Sequence, residues 1–201
     1  VKEAFSIVMF YGNTGTTPFL DERYFDIEEP SQSDLAGDRD STHSPDMMGQ
    51  TWTGTIYAGN LWDRSDESAF FYNYLDGRIK AAQTWRDRGM GLFYRCVRGD
   101  EHGINEFVDN GDGTITDDTT GLMWQQVDDG RARNWPEALE YCETLNFAGH
   151  DDWRLPNAKE LHSIVDYRRS PDSTGSAAID PVFRCTAIRN EGADHGPLDD
   201  V

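Results

Sequence analysis

Five oxygen-bearing side chains, Asp109, Asn110, Asp112, Thr114 and Asp117, fall within nine residues. Hard oxygen donors at that density are what a calcium ion requires. The spacing misses the EF-hand register, with no Asp at positions 1, 3 and 5 ahead of the glycine and no Glu at position 12. The same residues also spell hairpin turns, because Asn110-Gly111 and Asp112-Gly113 are pairs that tolerate positive φ. Both readings stay open, and calcium is the one cofactor the pattern admits.

Catalytic chemistry finds less support. His43, His102, His150, His162 and His195 are scattered, and no Gly-x-Ser-x-Gly, His-Glu-x-x-His or phosphate-cradling glycine loop occurs. Cys96, Cys142 and Cys185 lie far apart without Cys-x-x-Cys spacing, which disfavours zinc ribbons, thioredoxin-like sites and c-type haem. The chain is therefore expected not to be an enzyme. For recognition, Trp52, Tyr57, Trp62, Tyr72, Tyr74 and Arg78 combine aromatic faces with hydrogen-bonding tips that suit a sugar or a protein partner. Packing within a small antiparallel sheet explains the same aromatics.

The whole chain has 201 residues, with 37 Asp and Glu against 18 Lys and Arg, a formal charge of −19. Such a field repels phosphate backbones and argues against nucleic acid as a partner. No stretch reaches the roughly 20 apolar residues of a membrane span. Abundant Asp, Gly, Thr and aromatics suit an extracellular, periplasmic or cell-surface protein. The cluster Asp194, Asp199 and Asp200 reads as a solvated tail.

These residues need elements to position them. Trp52–Tyr57, Ala69–Tyr74, Arg78–Ala81 and Phe93–Gly99 read as strands, with Asp76-Gly77 as a hairpin turn. Residues 12–50 read as a long surface loop around an aromatic anchor at Tyr24-Phe25. Phe107 to Trp124 carries turn signals for a three-stranded meander. Asn134-Trp135-Pro136-Glu137 and Asn157-Ala158-Lys159-Glu160 are capping boxes that open two helices. The first helix is expected to present Ala138, Cys142 and Leu145 on one face and to end at Gly149. The second is expected to turn Leu161, Ile164 and Val165 to one side. Between them, Trp153 and Arg154 read as core scaffolding with Trp124, Arg154 requiring a carboxylate such as Glu160 if buried.

Part of this pattern occurs twice. Lys2-Glu3-Ala4-Phe5-Ser6-Ile7-Val8 matches Lys159-Glu160-Leu161-His162-Ser163-Ile164-Val165. Downstream of each come an apolar-Asp pair and an aromatic: Leu20-Asp21 then Tyr24-Phe25, and Ile179-Asp180 then Phe183. Two matches in one order argue for an internal repeat longer than a solenoid unit.

Asp109–Asp117, Thr120-Gly121-Leu122-Met123-Trp124, the Glu137–Leu145 helix, Asp152-Trp153-Arg154-Leu155-Pro156 and Lys159-Glu160-Leu161 together resemble a known family. It is the family of bacterial secreted domains shared with the C-terminal domain of a collagen-like adhesin. Trp52-Thr53-Gly54-Thr55, Asp76-Gly77-Arg78 and Arg95-Cys96-Val97-Arg98-Gly99 resemble that family's closing strands. The resemblance implies an α+β, C-type-lectin-like fold, with helices packed on a twisted antiparallel sheet with long loops. It also implies an exported, non-catalytic module for ligand binding or adhesion, with protein or glycan at the cell surface as partner. The alternative is a structural accessory subunit of an extracellular filament or surface complex, within a homo-oligomer or a larger assembly. By this reading residues 1–100 are the closing part of a first repeat and 101–201 the opening part of a second, as in a window of a longer tandem protein. A family pairing of the first-helix and last-strand cysteines would join Cys142 to Cys96, and only in a permuted arrangement or between molecules.

Overall fold

The computed structural model describes residues 1–13, 17–27, 49–59, 67–84 and 92–186. Trp62, His43, His195 and the cluster Asp194, Asp199 and Asp200 lie outside them. The fold is α+β, with two sheets and a few short helices. The chain divides into two compact units, Val1–Ile104 with Asn157–Ile179, and Asn105–Pro156 with Asp180–Val201.

In the first unit, strands β1 (Gln50–Ile56), β2 (Ser68–Asn73), β3 (Ile79–Gln83) and β4 (Phe93–Tyr94) form a sheet ordered β3-β2-β1-β4. β2 is antiparallel to β1 and β3, whereas β4 lies parallel to β1. The β2–β3 turn uses Gly77 at φ 73°, and a Cβ there would press within 2.9 Å of the Phe19 ring. The last predicted strand of this unit shortens from 93–99 to two residues. Past Tyr94 the chain leaves the sheet, and Arg95 donates to the Asp26 carbonyl and lies over the Phe25 ring.

The core of this unit joins Val8, Leu20, Tyr72 and Tyr74, with Ala4, Phe5, Ile7, Phe19, Phe25, Ile27 and Ile79 packed against them. Two helices complete it: α1 (Lys2–Ser6) and, from far along the chain, α3 (Ala158–Ser163). Asn157 caps α3 by accepting from the amides of Lys159 and Glu160 at 2.9 and 3.0 Å, and Glu160 returns a contact to the Asn157 amide at 2.8 Å. Ile164 is buried, but Leu161 is 55% exposed. The expected apolar face is therefore rotated, because α3 packs through His162, whose ring stacks on Phe5.

In the second unit, β5 (Phe107–Asp109), β6 (Thr114–Asp117) and β7 (Leu122–Gln125) form the expected antiparallel meander. Ile115 and Phe183 are buried, and Phe107 meets Phe183 edge-on at 5.1 Å. Helix α2 (Trp135–Thr144) carries the complete Asn134–Glu137 capping box. It stops at Thr144, short of Gly149. Ala148 and Gly149, at φ 53° and 81°, instead make a two-residue hairpin turn closed by reciprocal 3.0 Å backbone bonds between Phe147 and His150. Trp153 is half-buried and its indole donates to the Phe147 carbonyl at 3.2 Å. Arg154 is exposed. Its place at the surface departs from the core position expected for it.

Candidate functional site

The five described recognition candidates, Trp52, Tyr57, Tyr72, Tyr74 and Arg78, do not gather on one surface. Tyr72 and Tyr74 are core residues, 0% and 2% exposed, so their rings offer no face to a ligand. Burial pushes the Tyr74 phenol up to about 12 and the Tyr72 phenol higher still. The Tyr74 hydroxyl donates to the Ala4 carbonyl at 3.1 Å. Trp52 packs edge-on against Phe71 and Tyr57 against Phe70. Phe70 and Phe71 are consecutive strand residues and point to opposite sides of the sheet. Arg78 is half-buried beside the hairpin turn. These aromatics hold the sheet to its neighbours, a role the alternation of β2 could have signalled.

Exposed aromatics of this unit lie elsewhere, Phe10 and Tyr11 among them. Tyr24 is 78% exposed, Phe93 59% and Tyr94 76%. Cations accompany them: the Arg23 guanidinium lies 5.6 Å from the Tyr24 ring, and Arg95, next to Tyr94, lies 5.7 Å from the Phe25 ring. Arg23 is held by Asp21 at 2.6 Å, and that partner depresses the Asp21 carboxyl. Flat rings flanked by oriented guanidinium donors can meet sugar faces or peptide groups. The sequence signal was the anchor Tyr24-Phe25, valued there for packing alone.

In the acidic turn, each carboxylate already serves the backbone. Asp109 accepts from the Gly111 amide at 2.8 Å and from the Gln126 side chain at 2.9 Å. Asp112 accepts from the Thr114 amide and hydroxyl at 3.0 and 2.6 Å, which lowers its pKa. Asn110 donates to the hydroxyls of Thr114 and Thr116, each at 2.9 Å. Asp117 is fully buried and accepts from Asn105, Thr120 and the amides of Glu106 and Thr119. Burial alone would raise its carboxyl, but these donors outweigh burial and hold it below the usual range. Among the described residues no group of three or more His, Cys, Asp or Glu is arranged to hold a metal ion.

One constellation escaped the sequence reading. Lys2 Nζ donates to the Ser163 carbonyl at 2.7 Å, and Lys159 Nζ donates to the Ser6 carbonyl at 2.7 Å. Between them the Phe5 and His162 rings stand 4.1 Å apart. His162 Nε2 meets the Tyr167 hydroxyl at 2.6 Å. Burial, with the positive charge of Lys2, depresses His162 to about 4. The signal was present in the repeated heptapeptide itself.

Trp124 pairs in register with Ile115 and is half-buried, and its buried indole N–H meets no partner in the structure. Cys96, Cys142 and Cys185 are free within the single chain, the first and last exposed.

Residues 113–190 match the Lcl C-terminal domain family. The matched stretch takes in β6 and β7, two of the three meander strands, and the capped helices α2 and α3. It supports assignment to a secreted or surface-located class of domain. No curated protein and no solved structure matches the chain. Among the described residues no helix is long and apolar enough to cross a membrane.

Proposed function

We propose that the protein is an exported, lectin-like recognition module without catalytic activity, built from two partial copies of one unit and mediating adhesion to glycan or protein at a cell surface. The match of residues 113–190 to the Lcl C-terminal domain family is the observation that carries this reading. Exposed Tyr24 and Tyr94, each beside an arginine, are the residues we assign to the contact surface, with Arg95 reaching the Asp26 carbonyl and the Phe25 ring. The non-catalytic part finds support in how the described histidines are used. His162 is a packing residue held by Tyr167, and His150 packs edge-on against Trp153.

Binding of the whole chain to arrays of glycans and of surface proteins, alongside Tyr24→Ala/Tyr94→Ala, tests the reading. Binding that falls at least about tenfold in the variant is expected, in the range of a recognition hot spot. Recovery only as a stoichiometric component of a filament, with no array binding, would favour the structural accessory subunit instead.

A further inference from the structure

The two short helices of the repeated heptapeptide touch one another in a way that ordinary helix packing does not require. Counting from the lysine of each stretch, position 1 of one helix reaches the carbonyl of position 5 of the other, and the reverse bond is made at the same 2.7 Å distance. Position 4 of each, Phe5 and His162, faces its counterpart at the centre. Contact of i with j matched by contact of j with i, with like positions meeting on the axis, is the signature of an isologous interface. Here it occurs within one chain.

The local frames agree as well. Ser6 and Ser163 each donate to the carbonyl three residues back at 2.7 Å, from Glu3 and Glu160. Val8 and Val165 each donate to the carbonyl three residues back, at 3.1 and 3.2 Å. Val8 then bridges Leu20 and Val165 bridges Ile179, both antiparallel. Each acceptor carbonyl lies in the last turn of its helix, where it has no partner within the helix. The reaching lysine supplies that partner. Segment 157–179 belongs to the first compact unit, although the residues on both sides of it belong to the second.

The geometry points to a homotypic docking element: the Lys-Glu-x-x-Ser-Ile-Val helix is self-complementary, and consecutive copies are joined because the second lends its helix to the first. Its partner is the same helix of another copy. This rests on the two-copy reading above, and it names the surface through which the copies meet. It makes no use of the aromatic-arginine cluster.

Hydrogen exchange on the whole chain tests it through reciprocity. In Lys2→Met the Val165 amide, on the opposite helix, is expected to exchange at least tenfold faster. In Lys159→Met the Val8 amide is expected to do the same. A second variant, Leu161→Ala with His162→Phe, gives the second helix the first helix's sequence. It is expected to keep the parent urea midpoint, because a self-complementary pair accepts two identical helices. Acceleration confined to the substituted helix overturns the docking element outright. Cross-acceleration together with a collapsed midpoint in the symmetrised variant overturns it differently, leaving a joint between unlike helices and removing the two-copy reading beneath it.

Discussion

Phe5 and His162 occupy the same position in two matching heptapeptides, and their rings meet 4.1 Å apart inside one compact unit. Two similar heptapeptides thus make physical contact with each other, and the charge state of His162 becomes a property of that contact.

His162 makes stability depend on pH. The groups facing it are Lys2, the amino group of Val1 and Tyr167. Its folded value of about 4 lies below the ordinary 6.5, so the unfolded chain binds more protons between these limits. The stabilisation is therefore complete above pH 6.5 and is lost as pH falls toward 4, a change that solvent screening holds to roughly 1–2 kcal/mol. Urea titrations at pH 7 and pH 4.5 check this, with His162→Phe expected to flatten the difference. An equal slope in that variant would contradict it.

Asp117 anchors the meander. Asp117→Ala leaves buried donors from Asn105, Thr120 and two amides without an acceptor, and a loss of roughly 3 kcal/mol is expected. Because its folded pKa is depressed, its contribution is present above the usual carboxylate range and is lost as pH falls through the lower folded value. Thermal unfolding of the variant at neutral pH measures the first effect, and a loss under about 0.5 kcal/mol would count against the anchoring role.

Calcium should not stabilise the turn. The carboxylates of Asp109 and Asp112 already brace its backbone, so millimolar calcium is expected to shift Tm by less than about 1 °C. A saturable upward shift, abolished by Asp112→Ala, would restore a calcium site at 109–117.

The two Asn caps should matter to similar degrees. Asn134→Ala and Asn157→Ala each remove an acceptor for first-turn amides and are expected to cost about 1 kcal/mol. Denaturant midpoints of the two variants provide the comparison.

What could be read in the sequence was local. The Asn-x-x-Glu boxes, the Asp76-Gly77 hairpin and the meander turns are each set by neighbouring residues, and each appears where the chain spells it. What depends on distant partners was not legible in the same way. Leu161 reads as apolar and inward, yet Phe5, about 157 positions away, selects His162 as the packing residue and turns Leu161 to solvent. Arg154, embedded in Trp-Arg-Leu-Pro, reads as core by its neighbours but lies on the surface. Tyr72 and Tyr74 look like ligand-facing rings until α1 is laid over them. The parallel pairing of β4 with β1 has no signature in either strand.

The role in recognition is tested most directly by equilibrium binding of the whole chain to immobilised surface glycans and proteins, measured beside Tyr24→Ala/Tyr94→Ala. A saturable interaction by the parent that weakens at least about tenfold in the variant, while the fold is retained, is the expected result. Undiminished binding by the variant, or no binding by the parent to any of them, would contradict it.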